Sequence, residues 1–239
     1  MNILITGGAS GLGKAITTKL CQEPKNKVIF TYNSSLEEAQ KIEEQFSNAK
    51  SFKLDFNSQE NIHQFIDKMH ELNLDVLVNN AITGYTQNYF HKMKIDVFLN
   101  SFRKNIMPVI QITQQFIKEN RKKKSGKIIT ILTSAIINKP PLGWAEYVAN
   151  KAYLKSLSKS WAIENSAFGI TSNCISPSIM MTNLTKDIDK RLIEGMKESN
   201  PNKSLLNEYE VAEAVCFFTN TSSQINGTNL VINAASDLL

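Results

Sequence analysis

Tyr147 and Lys151 stand four residues apart in Tyr147-Val-Ala-Asn-Lys151, and Ser134 lies thirteen residues upstream. On an α-helix positions i and i+4 share a face, so the phenol and the ammonium can point into one pocket. At an effective dielectric near 20, unit charges about 4 Å apart interact by about 4 kcal/mol. Before desolvation is subtracted, that is worth up to about three pKa units on the phenol. A tyrosine that ordinarily titrates near ~10 is brought towards the pH at which it can trade protons. Such a pair suits carbonyl–alcohol interconversion, in which oxygen gains or loses a proton as carbon gains or loses hydride. Taken alone, the spacing also describes an ordinary amphipathic helix with a solvated lysine. The elements that would position the pair decide between the two.

One of them opens the chain. Met1-Asn2-Ile3-Leu4-Ile5 is a short apolar run, followed by Thr6-Gly7-Gly8-Ala9-Ser10-Gly11-Leu12-Gly13 and a helical pattern from Lys14 to Leu20. Strand, glycine-rich turn and helix form the context a dinucleotide motif requires. Glycines let the backbone approach a pyrophosphate, whose charge then meets the amides of a helix N-terminus.

Further strand-like apolar runs lie at 28–32, 51–55, 76–79, 127–132, 171–175 and 230–232, after the first at 3–6. Helical patterns fill the gaps at 36–46, 62–72, 97–119, 147–165 and 208–218. This alternation predicts βαβ units, a parallel sheet and right-handed crossovers. Ile128-Ile129-Thr130-Ile131-Leu132 reads as a strand buried on both faces. Ligands in such sheets bind beyond the carboxyl ends of the strands. The glycine turn, Asp55, Asn80 and Ser134 all follow predicted strand ends, so they should converge on one edge.

At 239 residues, 42% hydrophobic and 21% charged, the chain reads as an ordinary globular protein long enough for a sizeable core. It carries no internal repeat, low-complexity block or linker, so one domain over 1–239 is expected. The first strand starts at Asn2, which leaves no room for a signal peptide. No apolar run approaches the ~18–20 residues of a membrane span. Cys21, Cys174 and Cys216 are too scattered for a disulfide framework or a zinc site, and fit a reducing cytoplasm. His63, His70 and His91 show no clustered ligand spacing, so no catalytic metal is expected. The net charge of +5 is spread out, which argues against nucleic acid. Only Arg121-Lys122-Lys123-Lys124, with Lys127 beyond, forms a run. It suits a solvated helix C-terminus or the docking of an acidic partner.

The Thr-Gly-x-x-x-Gly-x-Gly turn, Asn79-Asn80-Ala81 after a mid-chain strand and the Ser134/Tyr147/Lys151 set together resemble the short-chain dehydrogenase/reductase family. The likeness spans essentially the whole chain, and length and layout look most like 3-oxoacyl-acyl-carrier-protein reductases of fatty acid biosynthesis. It implies a single Rossmann-type doubly wound sheet of about seven parallel strands flanked by helices, with a substrate lid around 178–200. It also implies a homodimer or homotetramer. Tyr147 would donate the proton to the carbonyl oxygen, Lys151 would lower the phenol's pKa and bind the nicotinamide ribose, and Ser134 would hold the carbonyl. The neighbouring Thr133 is set aside because the family interval to tyrosine selects Ser134. Asn105 matches the asparagine that anchors a water relay behind the lysine. Gly7, Ser10, Gly11, Leu12 and Gly13 would cradle the dinucleotide. Asp55, with Phe56 beside it, resembles the acid that accepts from the adenine amino group. Asn80 and Ala81 would line the adenosine ribose, while Pro177, Met180 and Thr182 would meet the nicotinamide half.

An acid at the end of the second strand would select NAD by binding the ribose 2′-OH. Here Thr31-Tyr32-Asn33-Ser34-Ser35 carries none before Glu37, and Asn33 and Ser34 can donate to a phosphate. NADP(H) is therefore favoured over NAD(H), although Ser10 stands where many NADP users carry a base. Lys14 is the candidate substitute.

Three departures from the family pattern stand out. Ile82 follows Asn-Asn-Ala, Ser178 follows Pro177, and Ala234-Ala235 follow the last strand, each where glycine is usual. All three place a Cβ at a permissive backbone position.

The lid segment mixes Met180, Met181, Leu184, Ile188, Leu192, Ile193 and Met196 with charges, which suits either core packing or an acyl chain. Trp144 either walls the pocket or packs beneath it. Carrier-protein reductases of this type carry basic residues before the fifth and sixth strands. Lys124 fits the first position, and Phe168 stands at the second. The sequence thus reads as an NADPH-dependent reductase of a 3-oxoacyl thioester, with a sugar, polyol or other small alcohol as the alternative substrate. A silent dinucleotide-binding sensor or scaffold is the rival from another class.

Overall fold

Successive strand residues send side chains to opposite faces, and in this chain both faces are apolar. Ile3, Ile5, Val28, Phe30, Val76, Val78, Ile129 and Ile131 pack into one core, while Leu4, Ile29, Leu77 and Ile128 pack into the other. A sheet with two dry faces must be covered by helices on each. The computed structural model, which describes residues 1–137, 139–181 and 190–236, has that arrangement. Strands β1 (Asn2–Ile5), β2 (Lys27–Tyr32), β3 (Ala49–Lys53), β4 (Val76–Asn79), β5 (Gly126–Ile131), β6 (Ile170–Pro177) and β7 (Asn229–Ile232) form one sheet. Its order is β3-β2-β1-β4-β5-β6-β7, and every described pairing is parallel. Helices α1 (Gly11–Cys21) and α8 (Glu208–Asn220) cover the first core. Helices α3 (Gln59–Leu72), α5 (Met107–Lys123) and α6 (Ala145–Asn165) cover the second. Helices α2 (Leu36–Gln45), α4 (Ile95–Asn105) and α7 (Lys190–Ser199) complete the set.

The doubly wound parallel sheet expected from the sequence is present, with three informative shifts. The pattern over 97–119 is two helices, α4 and α5, parted at Ile106. Pro108, near the start of α5, has no N–H to continue the ladder and its ring crowds the carbonyl four residues back. The third strand is Ala49–Lys53 rather than 51–55, which leaves Asp55 in the turn where its N–H donates to Asn61 Oδ1 at 2.7 Å. Helix α3 starts before Ile62 because Ser58 caps it, accepting from the Asn61 N–H at 3.2 Å.

The basic run closes α5 at the amino ends of the strands, the edge opposite the glycine turn. Arg121 donates to Asn165 Oδ1 at 2.7 Å and to the Glu164 carbonyl at 3.0 Å, with its guanidinium 4.4 Å from the Phe168 ring centroid. Lys123 donates to the Leu74 carbonyl at 2.9 Å.

Candidate active site

The carboxyl ends of β1, β2, β4, β5 and β6 open onto a cleft of ≈ 630 Å³. Gly7, Ser10, Gly11, Leu12, Gly13, Asn33, Ser34, Phe56, Asn80, Ala81, Ser134, Tyr147, Lys151, Pro177 and Met180 all line it. Thus groups scattered from residue 7 to residue 180 meet at one edge.

The glycine turn is fixed by close packing. A Cβ on Gly13 would lie 1.9 Å from the Gly7 carbonyl oxygen, so only glycine fits there. Gly7 has φ +66°, and its N–H donates to Thr31 Oγ1 at 3.0 Å. Asn80 Nδ2 donates to the Thr6 and Gly7 carbonyls at 2.9 and 3.2 Å, which ties β4 to the turn. Ser10 caps α1 without spending its side chain on the helix, and the first turn of α1 carries no acid. Its amides and hydroxyl therefore remain suited to a pyrophosphate. The residues present fit a dinucleotide.

Beside Lys14, the candidate substitute base, the structure adds Glu38 and Lys41, which the sequence reading passed over. Lys14 reaches Glu38 at 2.5 Å and Lys41 reaches the same carboxylate at 2.7 Å. Hydrogen bonds from Lys14 and Lys41 hold Glu38 down to about 2. Two cations thus offset the charge of Glu38. Asp55 sits between the cleft-lining Leu54 and Phe56 but is not itself on the wall. Its carboxylate accepts from the Asn57 N–H, Asn57 Nδ2 and Asn33 Nδ2 at 2.9, 2.8 and 3.3 Å.

At the other end, Tyr147 and Lys151 sit on α6 with both side chains buried. Lys151 Nζ donates to the Ile131 carbonyl at 2.8 Å and lies 5.9 Å from the Tyr147 ring centroid. The Thr133 hydroxyl lies beside the Tyr147 phenol and acts to lower its pKa. Ser134, the group selected by interval, starts a single 3-10 turn beside it on the cleft wall. Burial pushes Tyr147 up to about 12 and Lys151 down to about 8. The expected lowering of the phenol by the lysine is not found within the folded chain: desolvation dominates, and Lys151 is not among the groups that shift the phenol. The phenol is held in its protonated form.

Asn105 is the last residue of α4, just before the break at Ile106. Its Oδ1 accepts from the Thr83 N–H and hydroxyl at 2.8 and 2.9 Å, and its Nδ2 donates to the Gly84 carbonyl at 3.1 Å. It lines a second, small cavity behind Lys151.

Tyr85 and Trp144 close over Tyr147 with ring centroids 5.2 and 5.6 Å away. Ile82, Ile179 and Ile193 pack on the same cluster. Trp144 is therefore both buried and part of the cleft wall. Tyr85 carries no sequence signal beyond its aromatic character.

Among the three departures, Ile82 and Ser178 keep negative φ, so neither strains the cleft. Ala234 and Ala235 have φ +51° and +60°, the left-handed region that glycine would occupy freely. Helix α7, within the segment expected to form a lid, brings Met196 and Ser199 to the cleft. Thr182, Leu184 and Ile188 lie outside the described residues, as does the side chain of Leu192. Among the described residues no group of three or more His, Cys, Asp or Glu could hold a metal. No described helix is long and apolar enough to cross a membrane.

The sheet order, glycine turn and buried Tyr–Lys pair define a dinucleotide-binding oxidoreductase. Residues 1–192 match the short chain dehydrogenase family model, and the chain belongs to that family. It is an NAD(P)-dependent oxidoreductase acting on CH–OH groups. It is similar to the 3-oxoacyl-acyl-carrier-protein reductase of Escherichia coli K12, with 31% identity over 235 residues covering 96% of this chain and 94% of that one. The structure of ElxO with NADP bound superposes with a TM-score of 0.86 at 26% identity, covering 98% of each chain. A 3-ketoacyl-acyl-carrier-protein reductase from Brucella melitensis complexed with NADH shares the fold. Its TM-score is 0.88 at 22% identity, covering 99% of this chain and 98% of that one.

Proposed function

We propose that this chain is an NADPH-dependent carbonyl reductase that takes a 3-oxoacyl thioester to its 3-hydroxyacyl form. The observation that carries this reading is Tyr147, buried and protonated beside Lys151 and Thr133 in the wall of the glycine-turn cleft. A bound nicotinamide supplies the hydride. The chain does the rest: Tyr147 gives its proton to the carbonyl oxygen, and Ser134 and Thr133 hold that oxygen against the phenol. Lys151 has two N–H donors left after Ile131, enough to grip a ribose and steady the phenolate left behind. The apolar wall of Trp144, Ile82 and Ile179 suits an acyl substituent better than a polyol.

NADPH is favoured because Asn33 and Ser34 line the cleft and because the Lys14–Glu38–Lys41 cluster sums to +1. Fluorescence titration with NADPH and NADH tests the cofactor preference. Tighter binding of NADPH is expected, and tighter binding of NADH contradicts it. Paired turnover assays of acetoacetyl thioester and sugar ketones with the preferred cofactor test the substrate class.

One sheet carries all seven described strands, which supports a single domain over 1–239. The free cysteines match a cytoplasmic setting. We infer a homo-oligomer from the apolar residues left in water around α4: Phe90, Ile95 and Leu99 are 70%, 73% and 51% exposed. Light scattering that returned a monomer would contradict it. The basic run lies at the edge away from Tyr147, so the cleft of the same chain gains nothing from it in docking a carrier protein.

A further inference from the structure

Glu146, the residue before Tyr147, is 2% exposed, yet no described cation pairs with it. Its partners are all hydrogen-bond donors. Oε1 accepts from the Ser101 hydroxyl and from Asn150 Nδ2 at 3.2 Å, and Oε2 accepts from the Thr86 N–H at 3.2 Å. Ser101 Oγ in turn accepts from Asn105 Nδ2 at 3.2 Å and from Asn150 Nδ2 at 2.8 Å. A hydroxyl has one proton and two lone pairs. With both lone pairs taken, the Ser101 proton must point at Glu146. The order of donors is therefore fixed from the carboxylate through Ser101 to Asn105, and Asn105 holds Thr83 and Gly84 on its other side.

This network borders the cavity behind Lys151, which has ≈ 10 Å³, close to the least that holds one water. Asn79, Asn105, Glu146, Tyr147, Asn150 and Lys151 line that cavity. Asn79 Oδ1 is buried with no partner in the protein, so a water there would find an acceptor as well as the Lys151 ammonium.

We propose that Glu146 is a positioning residue for the reduction. Its carboxylate, acting through Ser101, sets the orientation of Asn105 and locks α4 and the 83–86 segment against the helix that carries Tyr147 and Lys151. The proposal rests on the carbonyl-reductase reading of the same site. Protonating Glu146 would add a donor among donors and release the lock. Burial already raises its pKa, against the opposing hydrogen bond from Thr86. The titratable groups around this carboxyl and its cavity are Tyr147 and Lys151 on α6 and Tyr85 on the 83–86 segment. Helix α4 contributes the neutral Ser101 and Asn105.

The test compares Ser101→Ala and Glu146→Gln with wild type and with a Tyr147→Phe control, using NADPH and acetoacetyl-coenzyme A, together with hydrogen exchange at the Thr83 amide. In each network variant, kcat is expected to fall by about tenfold to a hundredfold. NADPH affinity should stay within about twofold of wild type, as expected where a variant disturbs the reacting geometry rather than binding. Thr83 exchange should quicken in both, and wild-type kcat should fall at low pH along a limb absent from Glu146→Gln. Unchanged kcat and unchanged Thr83 exchange in both variants would overturn the proposal. So would losses of turnover and NADPH affinity in equal measure with faster exchange across the whole sheet, which would mark a folding role only. If Glu146→Gln does not fold, Ser101→Ala decides. A Tyr147→Phe enzyme as active as wild type would overturn the reductase reading instead, and Thr83 exchange alone would then judge the positioning role.

Discussion

Lys151 is held by opposing demands. Its ammonium has one strong acceptor, the Ile131 carbonyl, and lies in a setting that pushes its pKa from 10.5 down to about 8. In the unfolded chain it would keep its proton until about 10.4. Between pH 8 and 10.5 the unfolded state therefore binds more protons, and native stability from this group rises with pH. Lys151→Met has nothing to titrate there. Across that window wild type should gain on the order of 3 kcal/mol relative to the variant, measured as the difference in urea unfolding free energies. Parallel pH profiles would contradict the buried, weakly paired ammonium. The same burial keeps Tyr147 protonated, which suits the direction of reduction.

The strands follow from the spacing of apolar residues, and the glycine turn from the impossibility of a side chain at Gly13. Both were legible in the sequence. Pro108 also announced the break between α4 and α5, but the apolar period ran through it and masked the signal. The neighbours of each site residue were not legible. Nothing in the spacing says that Glu38 from α2 meets Lys14 from α1, that Tyr85 covers Tyr147, or that Glu146 faces α4. Those contacts depend on how elements far apart in sequence pack. The turn after β7 was half legible, since Ala234 and Ala235 replace the usual glycines and the structure keeps a glycine-like backbone there. An L-residue in that conformation costs about 1–2 kcal/mol, and glycine returns about 0.4–1 kcal/mol of that as unfolded-state entropy. Ala234→Gly or Ala235→Gly should therefore raise the unfolding free energy by about 0.5–1 kcal/mol. No gain in the urea midpoint would mean that the turn is unstrained.

At the scale of the whole molecule, the sheet works as a comb. Five strand ends deliver the glycine turn, Asn33, Asn80, Ser134 and Pro177 to one cleft, while helix α6 adds Tyr147 and Lys151 to its wall. The opposite edge is occupied by the ordinary business of ending helices, with Arg121 spent on Asn165 and Phe168. That polarity places the site residues on one side of the fold, with the exposed apolar residues of α4 beside them. The proposed role of the Tyr147 phenol is to give the proton in carbonyl reduction. The most direct measurement is single-turnover oxidation of bound NADPH by acetoacetyl thioester in wild type and Tyr147→Phe. A fall of about 10²–10⁴-fold in the rate with cofactor binding unchanged is the predicted result. A near-wild-type rate in Tyr147→Phe would contradict it.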